Sequence, residues 1–192
     1  MLTYQIKKSL IPAQDSQWKQ LVRKVLGESV HVQRELGFCL AREALKACFS
    51  ERGIPLEIPE LVLEEFSAVK GQSSLTISLS HAKDCGAAVV ASTKEVISVG
   101  IDIEPNDRVV KPMILERISH PEDLALHPLT LWSLKEASFK ALMNTGKFEK
   151  PVEFSGLKIM QGLWLHEASN TQGEWKVDEV QGLIIALAWI KI

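Results

Sequence analysis

The sequence predicts an α+β fold built as two comparable halves. Three observations carry that expectation. An apolar stripe at helical spacing runs ahead of Gly53, strict period-two alternation begins at Leu75, and the same order, helix and then strands, returns after Pro128. The seam is placed near residue 100, which gives an N-terminal lobe over 1–100 and a C-terminal lobe over 101–192, together one functional unit.

In chain order, the first strong helical signal begins near Glu28-Ser29, with Ser29 as a cap, and runs to about Ser50. Val32, Leu36, Leu40, Ala44 and Ala47 recur at helical spacing, and Phe38, Ala41, Leu45 and Cys48 widen the stripe into that of a largely buried helix. Gly53 and Pro55 end it, and the stretch from Pro55 to Gly71 reads as a loop with one helical turn near Leu61 to Phe66. Leu75, Ile77 and Leu79 alternate with Thr76, Ser78 and Ser80 as in a half-buried strand ending at Ser80-His81. Gly86 to Ser92 and Val96 to Glu104 follow as strands about a turn at Thr93-Lys94, predicting a short antiparallel meander closed by Pro105, Asn106 and Asp107. A second long helix starts after Pro128 and ends at Thr145-Gly146, where glycine suits the left-handed C-terminal position. Strand-like runs close the chain at Phe154 to Met160, Leu163 to His166, Trp175 to Val177 and Leu183 to Ile192.

The 192 residues are 46% apolar, enough for a real core. Lys and Arg number 22 against 24 Asp and Glu, a formal charge of -2 that argues against nucleic acid as a partner and leaves room for a local anion pocket. Cys39, Cys48 and Cys85 form no CxxC pair and read as reduced, buried thiols. The first residues lack the continuous apolar core of a signal peptide, and the longest apolar run, Leu183 to Ile190, is too short to span a bilayer as a helix. A cytoplasmic protein with no membrane partner is expected.

Two constellations carry chemistry. In Val99-Gly100-Ile101-Asp102-Ile103-Glu104, strand geometry sets Val99, Ile101 and Ile103 on one face and Asp102 and Glu104 on the other, with Gly100 keeping the acidic face open to a ligand. Carboxylates held so close raise each other's pKa unless a cation such as Mg²⁺ lies between them. On this string alone, a solvated strand end with two acids remains an equal reading. In the second constellation, Trp132 to Lys140, the residues Trp132, Glu136 and Lys140 share a helix face, and Glu136 is placed to supply a third carboxylate to the same metal. Read in isolation it is an exposed Glu-Lys pair beside a core tryptophan.

Taken together, a DxE strand end at Asp102 and Glu104, WSxKExxxK over Trp132 to Lys140, and an upstream Ser80-His81 strand end resemble the signature of the Sfp/EntD-type 4′-phosphopantetheinyl transferases. The resemblance is firmest from Leu79 to Lys140. It implies the fold of that family, two pseudo-two-fold-related lobes, each a helix packed on a small antiparallel sheet, with the active site in the cleft between them. It implies transfer of the 4′-phosphopantetheine arm of coenzyme A to a serine of an acyl or peptidyl carrier protein, with release of 3′,5′-ADP, by a monomer. Asp102, Glu104 and Glu136 would hold Mg²⁺ or Mn²⁺ against the pyrophosphate. His81, Arg42 and Arg34 would meet coenzyme A phosphates, with ordinary helix-surface charge as the competing reading for both arginines. Lys135 and Lys147 would border the same ligand, and Lys140 would neutralise the pyrophosphate or protonate the leaving group. Glu136 and Glu122 are the candidate acids and bases at the reacting centre, Glu122 taking the serine proton directly or through water. The carrier would dock on apolar residues following Glu104 and around Met113 to Ile118. This chain departs from the family in two places. Gly37-Phe38 stands where an EntD-like helix has Gly-Arg, and no Gly-Lys/Glu-Pro element is found in Val69 to Leu75. Two other readings use the same residues: a coenzyme A-binding protein without transfer activity, and a metal-dependent phosphodiesterase that activates water.

Overall fold

Small residues on two strands and apolar stripes on two helices dictate the architecture: each helix lies flat on an antiparallel sheet, at a point where a strand glycine lets the backbones approach. The computed structural model describes residues 2–8, 16–27, 29, 31–64, 68–148 and 152–192. Glu28, at the expected start of the first long helix, and Phe66, at the end of the expected helical turn, lie outside the described residues. The chain divides into two compact units, Met1–Ser92 and Thr93–Ile192.

In the first unit, β1 (Thr3–Lys8), α1 (Ser16–Leu26), α2 (Val32–Glu51), the two-residue strands β2 (Leu63–Glu64) and β3 (Ala68–Val69), β4 (Leu75–Ala82) and β5 (Cys85–Ser92) follow in order. The main sheet runs β1-β5-β4, all antiparallel. Strand β5 reads CGAAVVAS, so few side chains hold α2 away. A Cβ on Gly86 would lie 2.6 Å from Ala41 Cα and closer still to Ala41 N, so glycine is required where the helix crosses. Phe38, Leu45, Cys48 and Phe49 of α2 pack with Ile77, Ala88 and Val90 of the sheet and with Trp18, Leu21 and Val22 of α1. Helix α2 begins at Val32, capped by the ring of His31, which accepts from Gln33 N (3.3 Å), rather than by Ser29. Val32 is exposed, and the buried stripe starts at Gly37. Where a helical turn was expected near Leu61, the chain makes a 3-10 turn over Ile58–Glu60 and then β2.

The second unit comprises β6 (Val96–Pro105), α3 (Pro112–Ile118), α4 (Pro128–Met143), β7 (Leu157–Met160), β8 (Leu163–His166), β9 (Thr171–Val180) and β10 (Leu183–Lys191). Its sheet runs β6-β10-β9-β8-β7, all antiparallel. The expected meander is therefore corrected. β6 does not pair with β5; it pairs along its length with β10, from Leu183↔Pro105 to Lys191↔Val96. β5 is the central strand of its sheet, with one edge taken by β1 and the other by β4, so it has no edge left for β6. The seam expected near residue 100 falls inside this paired strand. Leu134, Ala137, Ala141 and Leu142 of α4 pack on Leu157, Ile159, Trp164, Ala186 and Ala188. Pro128 opens α4 at its first position and Gly146 follows it at φ +69°. Helices α1 and α3 and strand β1 are additions to the sequence expectation. Among the described residues no helix is long and apolar enough to cross a membrane.

Candidate active site

The second unit brings the two sequence constellations together. On β6, Gly100, Asp102 and Glu104 share the face that α4 covers, and their partners on β10, Ala188, Ala186 and Ile184, include two alanines that leave room for the helix. A Cβ on Gly100 would sit 2.7 Å from Ala141 N and nearer still to the Ala137 carbonyl oxygen. Gly100 thus serves the approach of α4 rather than of a ligand, which corrects the expectation of an open face. Ser98 Oγ donates to Ala141 O (2.6 Å) and Asn144 Nδ2 to Val99 O (3.0 Å), fastening the C-terminal half of the helix to the strand. Seated this way, α4 delivers Trp132, Glu136 and Lys140 to the acidic positions.

Asp102 and Glu104 are 2% and 5% exposed. Lys140 Nζ donates to Asp102 Oδ1 (3.0 Å) and to Ile101 O (2.9 Å), and lies 3.7 Å from Glu136 Oε2. Glu104 Oε1 accepts from Trp132 Nε1 (3.0 Å) and is ion-paired with Arg108. The Arg108 guanidinium also lies 5.2 Å from the Trp132 ring centroid, and Trp132 stacks on Phe154, which stacks in turn on Phe139. Burial, and then the adjacent Asp102 carboxylate, push Glu136 up to about 7, against the pull of Lys140. Glu136 therefore changes charge near neutral pH, the range suited to a general base.

Asp102, Glu104 and Glu136 are hard oxygen donors of the kind a divalent cation takes, and a cation beside them would oppose the part of the Glu136 shift that comes from Asp102. Among the described residues no three His, Cys, Asp or Glu side chains form a ready-made metal group. Lys140 and Arg108 hold two of the carboxylates.

The remaining expected residues separate. Lys135, expected at coenzyme A, is fully buried; Nζ pairs with Asp123 Oδ2 (2.8 Å) and donates to Leu157 O. Burial lowers its pKa and the Asp123 partner opposes that shift. It points into the protein because residues 135 and 136 lie on different sides of a helix, and its reading as a ligand contact is replaced by that of an internal tether. Asp123 also accepts from His120 N and Ile159 N, so the tether holds the loop before α4 to β7. Glu122 is exposed on that loop and ion-paired with Lys158, whose hydrogen bond and charge hold its carboxyl below the usual value. That environment makes it a weaker base than Glu136. Lys147 is exposed beyond α4, its backbone N donating to Thr145 Oγ1 (3.3 Å).

In the first unit, Arg34, Arg42 and His81 line one cavity of about 180 Å³ with Phe38, Leu79 and Ser80. The His81 ring sits over Gly37, where a Cβ would come within 2.7 Å of Nδ1. Phe38, the residue that departs from the family pattern, lies under Arg42, whose guanidinium carbon is 3.4 Å from the ring centroid. Arg42 also donates to Leu61 O (3.2 Å) and Phe38 O (3.5 Å), and burial lowers its pKa to about 10. A second cavity, about 530 Å³, lies in the other unit between Ile114 and Ile118 of α3, Trp132 and Phe154, with Arg117 and Glu153 at its polar side. Arg108, Asp123 and Phe154 are absent from the sequence reading of the site. Arg108 stands four residues after Glu104, a weak signal in a turn, and the other two carry none.

No protein-family model matches this chain, and no curated protein matches it significantly.

Proposed function

We propose that this protein transfers the 4′-phosphopantetheine arm of coenzyme A to a serine of an acyl or peptidyl carrier protein, and that it has the fold of the Sfp/EntD-type transferases. One observation carries the reading. Asp102, near one strand end, is bonded to Lys140 and lies beside Glu136 on a helix distant in sequence, and Glu104, two residues on, accepts from Trp132 of the same helix, although nothing local in the chain requires them to meet. The cavity that gathers His81, Arg34 and Arg42 supports it, because a phosphate-bearing ligand needs such donors. The arrangement of a helix on an antiparallel sheet in each unit agrees with the family fold.

In this reading Asp102, Glu104 and Glu136 would hold Mg²⁺ or Mn²⁺, which supplies charge neutralisation at the pyrophosphate of coenzyme A when bound. The proton of the carrier serine hydroxyl passes to a carboxylate at this site, Glu136 or Glu122, as the serine oxygen forms its bond to the β-phosphorus. Lys140 turns its ammonium to the departing 3′,5′-ADP oxygen as the phosphoanhydride bond breaks. The exposed Val109 and Met113 (84% and 67%) form an apolar surface after Glu104 on which the carrier docks. The test is to incubate the protein with apo acyl carrier protein, coenzyme A and Mg²⁺ and weigh the carrier by intact mass spectrometry. A phosphopantetheine-sized gain that Asp102→Ala abolishes is expected. No gain with any of several carriers, despite coenzyme A binding, would leave a binding protein without transfer activity; phosphopantetheine released with no carrier present would mark a phosphodiesterase.

A further inference from the structure

Arg108 stands outside every motif, yet it makes a charged contact within the acidic cluster. It follows β6 in the turn closed by Arg108 N donating to Pro105 O (3.0 Å), its side chain is 40% exposed, and its guanidinium pairs with Glu104 while lying over Trp132. Glu104, in contrast, is buried, with its Oε1 held by Arg108 and by the Trp132 N–H. Lys140 is anchored from the helix to Asp102 and to the Ile101 carbonyl, whereas the half-exposed Arg108 is the cation with a way out into solvent.

We propose that Arg108 is a specificity-determining internal counter-cation: it occupies Glu104 in the metal-free protein, competes with a divalent cation for that carboxylate, and is released to pair with the anionic substrate that arrives with the metal. This rests on the metal-dependent reading above. The physical reasoning is that a buried carboxylate that stays ionised requires a positive partner, while two cations on one carboxylate repel. A divalent ion alone must therefore displace the guanidinium into water. A pyrophosphate-bearing ligand offers the displaced fork two oxygens in its own geometry, so metal and substrate favour each other's binding. The cost of binding metal without substrate keeps the site from filling unproductively.

The test measures free Mn²⁺ by electron paramagnetic resonance during titration of the full chain at low ionic strength, with and without coenzyme A. Arg108→Gln is expected to bind Mn²⁺ alone roughly tenfold more tightly than wild type and to gain less from added coenzyme A. In a Glu104→Gln background the same substitution should change Mn²⁺ affinity by under about twofold, since the contested carboxylate is gone. Equal Mn²⁺ affinity in wild type and Arg108→Gln, or equal tightening in both backgrounds, would overturn the proposal while leaving transfer activity untouched as a reading. Absence of Mn²⁺ binding in every chain, together with no mass gain on the carrier, would remove both.

Discussion

Substituting Gly100 by alanine tests how the site is assembled, because a single methyl group there meets helix backbone rather than a movable side chain. The added Cβ would lie 2.7 Å from Ala141 N and nearer still to Ala137 O, while ordinary contacts begin near 3.4 Å, so α4 must lift by well over about 0.7 Å. Ser98 and Asn144 bind the same stretch of helix to β6 and resist that lift. Overpacking of this kind costs about 1–3 kcal/mol, and the upper end is expected here because no rotamer change relieves it. For a chain of this length each kcal/mol lowers Tm by about 2–4 °C, so thermal unfolding followed by circular dichroism should show a fall of about 6–12 °C. Transfer activity should fall further than stability, since the Lys140–Asp102 contact shifts with the helix. Gly156→Ala is the control, its nearest neighbours being His166 ring atoms at an ordinary 3.5 Å. A Gly100→Ala protein as stable as wild type, or more stable as alanine in an unobstructed strand would be, refutes the argument that glycine seats α4.

Two further outcomes follow from the buried charges. Glu136 binds its proton more tightly folded than unfolded, so between about pH 4.5 and about pH 7 the folded state holds more protons and stability falls as pH rises through that window. Glu136→Gln should therefore match wild type at the acidic end and exceed it by about 1–3 kcal/mol above neutrality in metal-free buffer, as read from urea unfolding at several pH values; a constant difference across the range would contradict the shift. Lys135→Met should cost about 3–5 kcal/mol by stranding Asp123, with much of the loss recovered in the Lys135→Met/Asp123→Leu double variant. A stable Lys135→Met protein that binds coenzyme A poorly would instead restore Lys135 as a ligand contact.

The helices around Leu40 and Leu134, the strands at Leu75, Gly86 and Val96, and the two site motifs are legible in the chain, because period and local chemistry are written in consecutive residues. Helix α1 carries a legible stripe in Trp18, Leu21 and Val22, whereas α3 is too short for its period to speak. That β6 pairs with β10 rather than β5 could not be read locally, since both edges of β5 are taken by β1 and β4, strands that come from elsewhere in the chain. The tertiary structure also separated Lys135 from Glu136, neighbours in the chain, into an internal tether and a site carboxylate, and recruited Arg108 and Asp123. A residue's type limits what chemistry it can perform. Whether it faces a ligand or a partner inside the protein depends on which face packs, and that is settled by the whole core at once.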